Sequence, residues 1–151
     1  MNKGVDNMFK IGDVIIGRGR SDYRITNSDN PCIVTMTVED KDIFNVDIDD
    51  GDIVVSPLIS YKYKKFNVWA ECFNLVETID SKNGMNKGDQ VTLREVCEQV
   101  LSVPKDTVGT IVSFIKDDDM SDRFGDIVVK YPTLNKYEII RENYIKHLTT
   151  L

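Results

Sequence analysis

The chain has 151 residues, a formal net charge of −6 and a hydrophobic fraction of 41%. This length suits one ordinary domain or two small ones, and the apolar share is large enough to form a core. No apolar run approaches the roughly 18 residues that a transmembrane helix needs, and residues 1–10 lack the apolar region of a signal peptide. Composition therefore predicts a folded, acidic, cytoplasmic protein that does not enter a membrane.

A short motif near the start of the chain recurs in its second half. Residues 9–15 read Phe-Lys-Ile-Gly-Asp-Val-Ile and residues 85–91 read Met-Asn-Lys-Gly-Asp-Gln-Val, with Gly-Asp in register. Each copy is followed by short runs of strand character. We therefore predict two units, residues 1–77 and 85–151, joined by a polar linker over residues 78–84 that ends in glycine.

Alternating runs of β-forming residues predict the strands in chain order. In the first unit these are residues 13–16, 32–39, 43–48 and 53–55. In the second unit they are residues 109–115, 126–131 and 136–140, with an acidic loop between the first two of these. The fold class predicted from this pattern is mainly β.

One segment of the second unit predicts a helix. Thr92 and Glu95 have the spacing of a capping box, and the apolar residues that follow lie at helical spacing until Pro104. We therefore expect a short amphipathic helix over about residues 92–102, inserted in the second unit.

The Gly-Asp-x-Val opening, the short strands and a terminal turn with an aromatic residue resemble the small SH3-like barrels, including those of the KOW and Tudor type. This resemblance implies two tandem SH3-like β-barrels. The first unit is also similar to a pattern found in small bacteriophage proteins, with Tyr23-x-Ile25-Thr26-Asn27, then Cys32-x-Val34 and Phe44-x-Val46. That similarity implies a phage-encoded protein acting in the cytoplasm of its host.

Residues that could support catalysis or bind a metal are few. The cysteines at positions 32, 72 and 97 form no CxxC pair, and His147 is the only histidine, so a structural zinc site lacks its ligands. The sequence also lacks the common nucleophile, zinc-protease and phosphate-loop motifs. We interpret His147 as a surface or capping residue, because a catalytic base needs an orienting partner. The prediction is a protein that is not an enzyme and has no catalytic residue, metal or cofactor.

Basic and aromatic residues form two clusters in the first unit. The first comprises Arg18, Arg20, Tyr23 and Arg24, and the second comprises Tyr61, Lys62, Tyr63, Lys64 and Lys65. Cations interleaved with aromatic rings can neutralise phosphates and stack on bases, which makes both clusters candidate nucleic-acid or partner-binding sites. The period-2 pattern of residues 61–64 fits equally well an edge strand with tyrosines inward and lysines outward.

An acidic stretch lies between these clusters. Residues 39–52 include seven acidic residues, and the spacing departs from that of a calcium loop. We interpret the stretch as solvated hairpin loops whose residues Asp47, Asp49, Asp50 and Asp52 are candidates for contact with a basic surface on a partner.

Three functions are consistent with these features. The first is a non-enzymatic binding protein that engages a host protein such as a transcription, nuclease or defence factor. The second is a KOW- or Tudor-like module that binds DNA or RNA, although the net charge of −6 opposes long-range attraction to phosphates. The third is a protein that sequesters nucleotides, for which no residue in the sequence gives direct support.

Overall fold

The computed structural model describes residues 9–17, 31–37, 52–58, 66–70, 73–94, 103–104 and 106–148. These residues form a mainly β structure of antiparallel sheets with one α-helix in the described part of the chain. The chain divides into two compact units, Met1–Val76 and Glu77–Leu151.

The first unit contains one five-stranded sheet. Its strands are β1 (Val14–Gly17), β2 (Pro31–Met36), β3 (Asp52–Pro57), β4 (Phe66–Trp69) and β5 (Phe73–Val76). They lie in the order β4-β3-β2-β1-β5, and all neighbours are antiparallel. The core packs apolar side chains from β1, β2 and β3 against Phe9, Ala70 and Phe73.

The second unit begins with the short strands β6 (Thr78–Ile79), β7 (Ser81–Lys82) and β8 (Met85–Asn86). Its main sheet contains β9 (Gln90–Leu93), β10 (Gly109–Ile115), β11 (Ile127–Tyr131), β12 (Lys136–Ile140) and β13 (Ile145–His147). These strands lie in the order β12-β11-β10-β9-β13, and β6 pairs with the end of β10. The helix α1 (Asp118–Phe124) connects β10 to β11, and a 3₁₀ turn over Glu142–Tyr144 precedes β13.

The two main sheets repeat one another strand by strand. In the first unit Ile15 is in register with Cys32 on one side and with Leu75 on the other. In the second unit Val91 is in register with Gly109 and with His147 in the same way. A register shift follows Val34 in β2 and the equivalent Ile111 in β10. The same pairing scheme, including the bulge, is therefore built twice.

The repeated Gly-Asp motif forms the same turn in both units. The amide of Gly12 donates to the carbonyl of Val34 at 2.9 Å, and the amide of Gly88 donates to the carbonyl of Ile111 at 2.8 Å. Both glycines have positive φ, +94° and +93°, which non-glycine residues rarely adopt. The recurrence of Gly-Asp in the sequence therefore reflects a recurring backbone requirement.

The strands predicted in the second unit are confirmed. Residues 109–115 and 136–140 form β10 and β12 with the predicted bounds, and residues 127–131 form β11. In the first unit β1, β2 and β3 correspond to the strands predicted at residues 13–16, 32–39 and 53–55. Their bounds differ from the prediction by one or two residues, except that β2 ends at Met36 instead of residue 39. The strand predicted at residues 43–48 lies outside the described residues.

The helix prediction was wrong at its start. Thr92 and Leu93 belong to β9, where they are in register with Lys146 and Ile145 of β13. This long-range pairing outweighs a local capping pattern, and Val91 and Thr92 are β-branched. Residues 95–102 of the predicted helix lie outside the described residues.

Two connections also differ from expectation. The acidic loop expected between β10 and β11 contains the helix α1, whose first turn is stabilised by the carboxylate of Asp117 accepting from the amide of Met120 at 3.1 Å. Residues 78–84, expected as a linker, include β6 and β7, and an Asn83-Gly84 turn with positive φ at both residues joins β7 to β8.

Candidate functional site

Most residues proposed from the sequence as binding sites lie outside the described residues. These are Arg18, Arg20, Tyr23, Arg24, Asp47, Asp49, Asp50, Tyr61, Lys62, Tyr63, Lys64 and Lys65. Asp52 is described: it begins β3, is half-buried and is in register with Trp69 of β4. The candidate clusters therefore remain sequence predictions.

The described part of the second unit contains an open groove of about 500 Å³ beside β13. Its walls come from the β7–β8 turn, the end of β9, the 3₁₀ turn and β13. The groove is lined by Asn83, Met85, Arg94, Glu142, Asn143, Ile145, Lys146 and His147. This size is within the range of pockets that hold small ligands or a few side chains of a partner.

Strand pairing places the cations at the groove. Lys146 is in register with Thr92 of β9, and Arg94 follows directly after this strand. The backbone amide of Arg94 donates to the carbonyl of Tyr144 at 2.9 Å, and its Nε donates to the carbonyl of Ile145 at 3.4 Å. Arg94 is therefore held beside β13 at its backbone and at its side chain.

The opposite wall is held by contacts between the β7–β8 turn and the 3₁₀ turn. The Nδ2 of Asn83 donates to Oε1 of Glu142 at 2.7 Å. Asp126 connects both turns, because its Oδ1 accepts from the amide of Glu142 at 2.9 Å and its Oδ2 lies 3.8 Å from Nζ of Lys82. The carboxylate of Glu142 is thus partly satisfied within the wall.

His147 lines the groove and is held in place by the repeated turn. Its Nε2 lies 3.0 Å from Oδ2 of Asp89, and the same oxygen accepts from the amide of Asn86 at 2.9 Å. In the first unit Oδ2 of Asp13 accepts from the amide of Lys10 at 3.0 Å, and the position equivalent to His147 is Leu75. The histidine–aspartate contact is therefore specific to the second unit.

We expect Asp89→Ala to destabilise the second unit by about 2 kcal/mol and Asp13→Ala to destabilise the first unit by about 1 kcal/mol. Both changes remove an acceptor for a turn amide, but only Asp89→Ala also removes the partner of His147. Urea unfolding, followed through amide signals of each unit, measures both effects. In a His147→Leu background the two losses should become equal, and a persistent difference would contradict this account.

Three polar side chains at the groove have donors available for a ligand. Arg94, Asn143 and Lys146 are exposed, and within the described ranges neither cation forms an ion pair. Among the described residues, the side chain of Arg94 bonds only through its Nε, which leaves both terminal amino groups for a bidentate contact. The buried side chains of Met85 and Ile145 form an apolar floor.

The groove has an oriented histidine but no hydroxyl or thiol nucleophile among its described lining residues. His147 does have the carboxylate partner that the sequence could not show, yet no serine, threonine or cysteine contributes to the described lining. Cys32 is fully buried in the first unit, and burial raises the pKa of its thiol to about 12, so the reactive thiolate is scarce at neutral pH. No group of three or more potential metal ligands occurs in the described parts of the chain.

A buried ion pair lies on β12, apart from the groove lining. Nζ of Lys136 lies 2.7 Å from Oε1 of Glu138, and both side chains are largely buried. Burial raises the pKa of Glu138, and Lys136 partly offsets this by hydrogen bonding and charge. Burial, with a smaller effect of Glu138, also raises the pKa of Tyr131, whose hydroxyl has no hydrogen-bond partner among the described groups.

This pair predicts a pH dependence of stability. The pKa of Glu138 is higher in the folded protein than in the unfolded chain. Its contribution to the unfolding free energy is therefore greatest below the ordinary glutamate pKa and is lost as the pH rises through the pKa of the folded protein. We expect the unfolding free energy of the native protein to fall relative to Glu138→Gln over this range. Lys136→Met should steepen the fall, since it removes the influence that lowers the pKa. A pH-independent difference between native protein and Glu138→Gln would refute the assignment.

The groove residues were missed by the sequence interpretation. Asn83, Arg94, Asn143 and Lys146 are scattered in the chain and form no motif. The pairing of β9 with β13 brings Arg94 and Lys146 together, and the contact of the β7–β8 turn with Glu142 adds Asn83. The available signal was Asn83-Gly84, a typical type I′ hairpin turn, which identifies the β7–β8 hairpin but not its neighbours.

Comparison with known proteins returned no match to a protein-family model, a curated protein or a solved structure. Within the described part of the chain, no helix has the length and apolar character needed to cross a membrane.

Proposed function

We propose that this chain is a non-enzymatic binding protein built of two tandem SH3-like β-barrels, and that the groove of the second unit contacts a protein partner. The observation that carries this proposal is an exposed groove whose described lining has cationic donors over an apolar floor and no hydroxyl or thiol nucleophile. Such a surface can bind a partner, whereas covalent catalysis would need a reactive group beside His147.

The repeated strand order supports the tandem arrangement. In each unit four sequential strands form a meander, and the fifth strand returns to pair with the first. This return brings the two ends of the unit together, as expected of a small barrel. The bulge in the second strand of each sheet adds the local twist that such curvature requires.

A host protein remains our proposed partner, and a bacteriophage source remains a prediction from sequence resemblance. The acidic residues at positions 47, 49, 50 and 52 fit this proposal as a second contact region. Charge reversal at these four positions should weaken capture of a partner with a basic surface.

Nucleic acid is the second candidate ligand, because Arg94 and Lys146 could contact phosphates. The net charge of −6 opposes long-range attraction, and the described lining of the groove includes no phenylalanine, tyrosine or tryptophan ring for base stacking. A DNA or RNA ligand would therefore depend on the basic clusters of the first unit.

A pull-down from bacterial lysate, divided into nuclease-treated and untreated halves, tests the proposed function. We expect the native chain to recover a discrete protein from both halves of the lysate. The amount of this protein should be much lower when Arg94→Gln/Lys146→Gln is the bait. The matched control is Lys116→Gln/Lys130→Gln, which removes the same charge outside the groove lining. Recovery of nucleic acid alone, with all proteins lost after nuclease treatment, would overturn the proposal in favour of the second candidate.

A further inference from the structure

The groove is a locally cationic surface on an acidic protein. Its lining includes two permanent cations, Arg94 and Lys146, and one carboxylate, Glu142. That carboxylate accepts a hydrogen bond from Asn83 at 2.7 Å, while the two cations have no ion-pair partner among the residues that the structure describes. With two cations against one carboxylate, the formal charge of the described lining is positive.

The donor geometry suits carboxylates. Because Nε of Arg94 is used by the carbonyl of Ile145, the guanidinium presents its terminal amino groups as a fork that matches the two oxygens of a carboxylate. Lys146 supplies a second cation from β13, and the exposed amide of Asn143 can bond to a peptide group. The apolar floor of Met85 and Ile145 can pack against the stem of a bound side chain.

We infer that the groove binds an acidic peptide segment of the partner, with Arg94 and Lys146 pairing with its carboxylates. This inference rests on the proposed function, since it specifies the part of the partner that the groove contacts. A peptide is favoured over nucleic acid, because the described lining pairs cations with an apolar floor, provides no phenylalanine, tyrosine or tryptophan ring for stacking, and has an imidazole that is held by Asp89.

The test is a titration of the isotopically labelled full chain with a hexaglutamate peptide, followed by amide NMR signals. Hexaglutamine is the uncharged control, and a short oligothymidine is the phosphate control. We expect hexaglutamate to shift the signals of Arg94, Asn143 and Lys146, and hexaglutamine to leave them unchanged. Raising the salt concentration should weaken the binding, because the contacts are exposed.

Two charge-removing variants make this test specific to the groove. Arg94→Gln/Lys146→Gln should weaken hexaglutamate binding about tenfold, while Lys116→Gln/Lys130→Gln should change it less than about twofold. The dispersion of the amide spectrum shows directly whether each variant is folded. Equal weakening by both variants would indicate nonspecific charge attraction and overturn the inference.

The remaining outcomes separate this inference from the proposed function. If only oligothymidine shifts the groove signals, or if neither charged ligand does, the acidic-peptide inference fails. Should the lysate partner still depend on Arg94 and Lys146 in that case, the binding function stands with a different ligand. If the native chain captures no protein from lysate, the proposed function fails whatever hexaglutamate does.

Discussion

Replacing Gly125 with alanine is expected to destabilise the second unit by about 3 kcal/mol or more. Gly125 ends helix α1 at φ +128° and ψ 165°, a backbone region that is essentially restricted to glycine. A Cβ there would lie 2.8 Å from the carbonyl carbon and 3.0 Å from the carbonyl oxygen of Ile140, which belong to the backbone of β12. Neither strain nor clash can be relieved by a side-chain rotation.

Gly84→Ala is the matched control for this change. Gly84 also has positive φ, +83°, but a Cβ there meets nothing within 4 Å. We expect it to lose only about 1 kcal/mol, from backbone strain. Urea unfolding followed through second-unit amide signals measures the stability of both variants. Equal losses of unfolding free energy would contradict the expected clash with the backbone of Ile140.

Gly109→Ala should destabilise the same unit by about 3 kcal/mol, for a different reason. A Cβ on Gly109 would collide with Cγ1 of Val129 and would lie 2.8 Å from Cε1 of Tyr131, and both neighbours are fully buried. The equivalent residue of the first unit is Cys32, which is in register with Pro57. The larger ring of Tyr131 on β11 explains why the second unit has glycine here.

A double-mutant cycle with Val129→Ala separates this clash from a general weakening of β10. Val129→Ala alone creates a cavity, but together with Gly109→Ala it removes the closest contact. The double variant should therefore lose less unfolding free energy than the sum of the two single losses, by about 1 kcal/mol or more. Thr110→Ala, at the half-buried neighbouring position, is the control; strict additivity would contradict the packing described for Gly109.

The strands of the second unit were predictable because their runs of β-forming residues lie in a sheet that buries many of these side chains. Residues 109–115 and 136–140 are rich in β-branched and aromatic residues, and both segments occupy buried positions of one sheet. The Gly-Asp repeat was predictable for a stronger reason, since glycine at positive φ and an aspartate acceptor are both needed by the same turn.

Helix α1 was missed because it lacks an apolar stripe: none of its residues is buried. Its signals lie at its ends, where Asp117 caps the first turn, Asp118 and Asp119 follow it, and Gly125 ends the helix. Hydrophobic periodicity cannot detect such a helix. Conversely, Thr92 and Glu95 show a capping pattern, yet the pairing of Thr92 with Lys146 of β13 places Thr92 in a strand.

The groove could not be predicted, because its residues come together only through long-range pairing. Arg94 and Lys146 become neighbours when β13 returns to β9, and Asn83 reaches Glu142 through the β7–β8 turn. The sequence interpretation of His147 depended on a missing partner, and the structure provides Asp89 from the repeated turn. Sequence patterns identify local turns and strands, whereas a site at a sheet edge depends on which edges meet.

Calorimetric titration of the purified, nuclease-resistant partner against the native chain tests the central claim most directly. The same titration is made with Arg94→Gln/Lys146→Gln and with Lys116→Gln/Lys130→Gln. The proposed groove contact predicts a Kd at least about tenfold weaker for the first variant and within about twofold of native for the second. A Kd unchanged by loss of Arg94 and Lys146 would show that the partner binds elsewhere and would contradict the account.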